Sequence, residues 1–355
     1  MRLFPLTVVA LAAVVAANGL AHAQGPTAID LRKPAEERRG TAYGPRADVR
    51  AFAAEVAAET GLDRARVERW LAGARYLPQV VTLMSKPFVD PPKWFEYAPP
   101  FLSAERVGGG VAWWEANADA LARAEARWGV PPEVVVAIVG VETYYGRVAG
   151  TYRVIDALAT LAFDYPRRSA FFRGELKEFL LMARDQGISP YAPKGSFAGA
   201  MGVPQFMPGS FRRYAVDFDG DTRIDLWGSG ADAVGSIANY LARHDWSAGG
   251  PLLVPARIDP DTRDTVLRRL DGGISERRPL DAWAADGVTP ALAMEPVVEP
   301  VGLLMLEDAD GNASYWIACP NFYVITRYNR SRLYASAVVF LAEAIRAERR
   351  GQPPL

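Results

Sequence analysis

Glu142 is the one acid in VVVAIVGVETYYGR, residues 134–147, an otherwise apolar run. Val135, Ile138 and Val139 stand seven, four and three positions before it, which on a helix is its own face. A carboxylate placed there is costly to ionise, so it is either paired or held with a raised pKa. Pairing with Arg147 or Arg153 would make it structural, whereas an unpaired carboxyl titrating near the working pH can both give and take a proton. A second chemical grouping lies in DFDGDTRIDLW, residues 217–227, where Asp217, Asp219, Asp221 and Asp225 alternate through a tight turn. Alternate acids in such a turn aim oxygens at a hard cation, calcium above all. The fit to a twelve-residue calcium loop is partial, with Thr222 at its sixth position, Gly228 at its twelfth, and Asp232 as a later carboxylate.

Other chemistries are excluded by what the chain lacks. Cys319 is its only cysteine, and of its two histidines only His244 follows the N-terminal segment, so a multi-histidine zinc site is very hard to build and a Ser-His-Asp triad would rest on His244 alone. The Gly-rich stretch 189–215 has no Gly-Lys-Ser/Thr ending and is not a phosphate loop. Forty basic residues against 41 acidic ones give a net charge of -1, which argues against nucleic acid and against polybasic membrane attachment.

The elements that must position these groups follow from periodicity and punctuation. RADVRAFAAEVAAETG and LDRARVERWLAGAR read as helices, the first stopped by Gly61. PPKWFEYAPPFL reads as a proline-punctuated aromatic loop, and residues 109–129 as one helix ending at Gly129. Pro131 and Pro132 open the helix that carries Glu142, and Gly146 is the expected left-handed residue at its end. Helices are expected over 153–166, 168–187 and 231–246, with a broken Gly- and Pro-rich loop between the last two and His244 facing solvent or capping. From Gly249 to about Leu306, short apolar runs between turns predict a small β-rich unit. A strand at YWIAC, a loop carrying Tyr328 and Asn329, and a final helix from near Ser331 complete the chain, with Cys319 as a small buried hydrophobe. With 355 residues the chain suffices for two or three domains. The N-terminus MRLFPLTVVALAAVVAANGLAHAQ, with Ala-His-Ala before Gln24, predicts a cleaved secretory signal and so a periplasmic location in a Gram-negative cell; no cysteine is placed to carry a lipid.

Seven stretches in order carry a resemblance: GVETYYGR, DALATLAFDYPRR, GELKEFLLMARD, KGSFAGAMGVPQFMPGSF, YAVDFDGDTRIDLW, GSIANYLARHDW and FYVITRYNRSRLYASAV. Over roughly residues 45–345 the sequence resembles the membrane-bound lytic murein transglycosylase B family. The resemblance implies an α+β, mainly helical fold: a lysozyme-like core with an EF-hand-like loop, an N-terminal helical region and a small β-rich domain. The expected segments are a signal peptide (1–23), a flexible leader (24–44), an N-terminal helical domain (45–130), the core (131–248), the β-rich domain (249–310) and a returning C-terminal segment (311–350).

By the same resemblance Glu142 takes the place of the single catalytic acid, and Ser196, Gln205, Phe206, Met207, Tyr240, Tyr328, Asn329 and Tyr334 those of sugar-holding residues. Asp217, Asp219, Asp221 and Asp232, with a backbone oxygen of Arg223, take the place of a structural calcium site; Asp219 stands where a neutral serine can occur. Trp94, Phe95, Phe206, Tyr240 and Tyr328 are candidate sugar platforms. The implied activity is cleavage of the β-1,4 bond between N-acetylmuramic acid and N-acetylglucosamine of peptidoglycan with formation of a 1,6-anhydro end, by a monomer needing no catalytic cofactor. A hydrolytic muramidase on the same scaffold and a non-catalytic peptidoglycan-binding protein are the alternatives.

Overall fold

Side-chain caps start several helices of this chain, and a proline in the first turn starts others. Asp63 accepts from the amide of Arg66 (2.7 Å), Ser103 from Arg106 (3.3 Å) and Ser331 from Tyr334 (3.3 Å), each satisfying a donor that the first helical turn leaves open. Gly61 and Gly129 end their helices in the left-handed conformation expected of them. The computed structural model describes residues 40–44, 46–86, 92–293, 297 and 299–352. The expected signal peptide, and the leader before Gly40, lie outside the described residues.

Two compact units emerge, each drawn from separated stretches of sequence. Among the described residues one comprises 92–144 and 238–352, the other 40–86 and 145–237. In the first, the helix Pro132–Thr143 carries Glu142 and packs on the helices Ala104–Ala116 and Arg332–Arg350. Every residue of it from Val134 to Thr143 is buried, so the apolar face inferred from spacing is in fact the whole circumference. The unit also holds an antiparallel six-stranded sheet in the spatial order Leu270–Asp271, Ile274–Ser275, Gly302–Glu307, Ala313–Ala318, Leu253–Ile258, Val288–Pro290. Leu303 and Ile317 are paired in register and share a core with Val254, Val266 and Trp283. The next pair, Leu304 and Trp316, faces the opposite side, where Trp316 meets Phe340 of the C-terminal helix at 5.2 Å. Cys319 lies in the sheet's core, where burial pushes its thiol up to about 12; it packs as a small hydrophobe.

In the second unit the helix Val154–Asp164 lies against Ser169–Asp185 and Pro78–Met84. Asp156, Thr160 and Asp164 recur every four residues along it and form a polar seam. Asp156 accepts from the amide of Arg75 (3.0 Å) and Thr160 from that of Leu77 (3.0 Å). Tyr43, 1 % exposed, donates to Asp164 (2.6 Å). Residues 40–44, expected to end a flexible leader, are thus fixed: Gly40 and Tyr76 bond through their backbones, and Ala42 bridges Arg75.

Other departures from the sequence reading have local causes. The helix expected over 109–129 is two, Ala104–Ala116 and Ala118–Trp128, because the Asn117 side chain donates through Nδ2 to the Trp113 carbonyl (2.8 Å) and its backbone leaves the helical region. Within the aromatic loop, Trp94–Tyr97 forms a short helix capped by Glu96, with Tyr97 and Phe101 buried. Tyr328 is the last residue of a helix, Pro320–Tyr328, and not part of a loop. Replacing Thr160 by Val would keep its shape but leave the buried Leu77 amide unpaired. A loss of about 1–3 kcal/mol in urea denaturation is the expected outcome.

Candidate active site

The residues around Glu142 are fixed by the end of its helix. The chain turns left-handed at Tyr144 (φ 51°, ψ 52°), two residues before the glycine expected to do so, and the Tyr144 amide bonds back to the Gly140 carbonyl (3.2 Å). Glu142 therefore sits in the last turn of a buried helix and is itself only 6 % exposed. Its hydrogen-bond partner is Tyr334, whose hydroxyl donates to Oε1 at 2.6 Å; Arg153 pairs with Asp156 at 3.2 Å.

Desolvation raises the Glu142 pKa to about 7, against the smaller lowering effect of the Tyr334 hydrogen bond. Burial raises the pKa of Tyr334, Tyr328 and Tyr97, and the charge of Glu142 raises each further. These three tyrosines stay neutral at any working pH, so Glu142 is the group among them that titrates. Tyr97 was not singled out from sequence; the short helix that delivers it looked like a loop.

Tyr240, in the same unit, packs edge-on to Tyr328 at 4.9 Å and donates to the Arg327 carbonyl at 2.7 Å. His244 stacks on Tyr240 at 4.2 Å and bonds its carbonyl, a capping role. Asn329 follows the helix Pro320–Tyr328 in extended conformation, and its carbonyl accepts from Ser331 (2.7 Å). Trp94 packs on Phe340 at 5.4 Å, and Phe95 is half-buried.

The remaining sugar-holding candidates lie in the second unit, within a loop made by close backbone approaches. A Cβ on Gly195 would stand 2.1 Å from the Ala200 carbonyl oxygen, and left-handed Gly202 packs on the Leu226 carbonyl. Ser196 Oγ accepts from Ala198 (3.3 Å) and Ala200 (3.1 Å), and the Gln205 side-chain amide donates to Gly202 (2.8 Å) and Ala149 (3.2 Å). Phe206 is 2 % exposed and pairs with Met201 through the backbone. Met207, half-buried, precedes the helix Pro208–Tyr214.

In the acidic loop, one carboxylate oxygen each of Asp217, Asp219 and Asp221 lies within 4.8 Å of the others, a donor set suited to a hard cation. Asp232 does not join them. It is 1 % exposed and accepts from the amides of Phe218 (2.7 Å), Asp219 (3.4 Å) and Asp225 (2.7 Å), tying the loop to the following helix. Asp232 thereby braces the loop. Arg223 donates its amide to Asp221 (2.8 Å).

The mainly helical, lysozyme-like fold is that of the lytic transglycosylases. The profile of the transglycosylase SLT domain matches residues 44–343, and the chain belongs to that family. It is 44 % identical over 296 residues to membrane-bound lytic murein transglycosylase B of Escherichia coli, across 80 % of this chain and 79 % of the relative. The soluble lytic transglycosylase SltB1 of Pseudomonas aeruginosa superposes with a TM-score of 0.80 at 42 % identity, covering 86 % of this chain and 99 % of that one. The Escherichia coli lytic transglycosylase Slt35 in complex with calcium gives 0.79 at 40 %, covering 89 % and 98 %.

The raised pKa of Glu142 makes folding pH-dependent with a definite sign. Below about 4.5, the ordinary value, the carboxyl is protonated folded and unfolded, and nothing is lost. As the pH rises to about 7 the unfolded chain ionises and the folded one resists, so stability falls; above 7 the loss levels off near 3 kcal/mol. E142Q removes this dependence. Its stability relative to wild type is expected to rise by about 3 kcal/mol between pH 4 and pH 8 in urea denaturation.

Proposed function

We propose that the protein is a lytic transglycosylase of peptidoglycan in which Glu142 serves as both acid and base. The observation that carries this reading is a buried carboxyl, pKa about 7, whose partner is a neutral hydroxyl. Tyr334 donates to Oε1, so the proton of the neutral acid belongs on Oε2, free for delivery. That proton passes to the oxygen linking N-acetylmuramic acid to N-acetylglucosamine as the C1–O bond breaks, and the 2-acetamido oxygen supports the electron-poor C1. The carboxylate left behind, steadied by Tyr334, takes the proton of the muramic C6 hydroxyl. O6 then closes on C1 to a 1,6-anhydro ring, and no water is consumed. A single group near neutrality serves both half-reactions because giving and accepting then cost about the same.

Tyr240, Tyr328 and Asn329 are assigned to sugar binding, and the motif match adds Ser196, Gln205 and Met207. Asp217, Asp219 and Asp221 would hold Ca2+ with the backbone oxygen of Arg223, a reading supported by the calcium complex of Slt35. The ion would brace the loop and takes no part in the reaction. Ala-His-Ala before Gln24 supports export to the periplasm, and no helix among the described residues is long and apolar enough to cross a membrane.

Mass spectrometry of soluble products from purified peptidoglycan tests the reaction. Muropeptides one water lighter than their reducing counterparts are expected from wild type and none from E142Q. Reducing ends would instead make the protein a hydrolase, and no release would favour a binding protein. For calcium, a hundredfold excess over Kd should add about 3 kcal/mol to unfolding, while D221N should abolish the gain and leave turnover at 25 °C within about twofold.

A further inference from the structure

Arg106, in the first turn of the helix Ala104–Ala116, reaches the far end of the helix that carries Glu142. Its Nη1 donates to the Gly140 carbonyl, the same oxygen that accepts from the Tyr144 amide. Its guanidinium lies 4.4 Å from the Tyr144 ring centre and 5.3 Å from that of Phe101. Phe101 in turn packs on Tyr97 at 5.1 Å, and Tyr97 lies within the electrostatic reach of Glu142.

Tyr144 is the weak point of this turn. An L-residue with a bulky side chain is disfavoured at φ 51°, where glycine would be at ease, and the glycine of this sequence comes two residues too late to relieve it. A cation at a helix C-terminus, bonded to one of its last carbonyls and stacked on the ring of the strained residue, stabilises that conformation in three ways at once.

We infer that Arg106 is a positioning residue for the proton transfer, acting through the turn at Tyr144 and not through contact with substrate. The inference rests on Glu142 being the acid. If the turn slackens, Glu142 shifts against Tyr334 and water enters beside it. Tyr334, Tyr328 and Tyr97 surround the carboxyl and none carries charge at working pH, so hydration alone then draws its pKa down.

The test is a set of variants, R106A, R106K, Y144G and R106A/Y144G, with E142Q as the control. Each is assayed on soluble glycan strands from pH 5 to 9. R106A is expected to lower kcat about tenfold with KM within about twofold, and to move the falling limb of the pH profile below that of wild type. R106K should recover little, since an ammonium reaches the carbonyl but offers no plane to stack. On top of Y144G, where the left-handed turn is unstrained, R106A should cost about threefold or less. An equal loss in the two backgrounds, or a lowered Tm with kcat and the pH limb unchanged, would overturn the inference. Turnover retained by E142Q would instead remove the assignment of the acid, whatever the Arg106 variants show.

Discussion

Removing one carboxyl from water, and giving it a neutral partner, is the constraint on which the rest of the molecule depends. Among the described residues three carboxylates are buried: Glu142, Asp156 and Asp232. Asp156 has a guanidinium at 3.2 Å and a backbone amide, and Asp232 accepts backbone amides on both oxygens. Both are held in place by donors of the fold. Glu142 receives only the weaker help of a tyrosine hydroxyl against full desolvation, and its pKa stays near neutrality as a result. The same chemical group is thus a brace at two positions and a proton carrier at the third, and the difference lies in what donates to it.

That arrangement asks for a helix buried on every side, which is costly unless the sequence is apolar all round. Val134 to Val141 meet the demand, and Gly140 leaves its carbonyl open to a guanidinium. The partner hydroxyl comes from a helix 192 residues away in sequence, placed by the cap at Ser331 and by packing on the acid helix. Local signals build each helix; the pair exists only once they meet.

This division explains what could be read in advance. The acid, the helix that carries it, the alternating acids of the loop and the position of the sheet all have short-range signatures of period or punctuation. Tertiary choices left no such trace. Sequence leaves Tyr334 and Ser196 equally open as the hydroxyl that tunes the acid, Tyr97 is hidden in a stretch that its prolines make look irregular, and Arg153 is taken by Asp156. Asp232 fits the spacing of a late calcium ligand, and its oxygens accept from amides seven to fourteen residues away once the loop closes.

The end of the acid helix shows the same conflict at higher stakes. Gly146 is the natural stop, and placing the turn there would add half a turn of helix beyond Glu142. Stopping at Tyr144 instead puts the acid in the terminal turn, where the carbonyls are no longer all committed within the helix and the chain leaves sharply. The left-handed conformation continues through Tyr145 and Gly146, so two non-glycine residues in succession accept a backbone that sequence statistics would refuse them. Strain of this kind persists only where the surroundings overdetermine it. Here they do so through a carbonyl that accepts two donors and a ring covered by a guanidinium, directly beside the group proposed to move the proton.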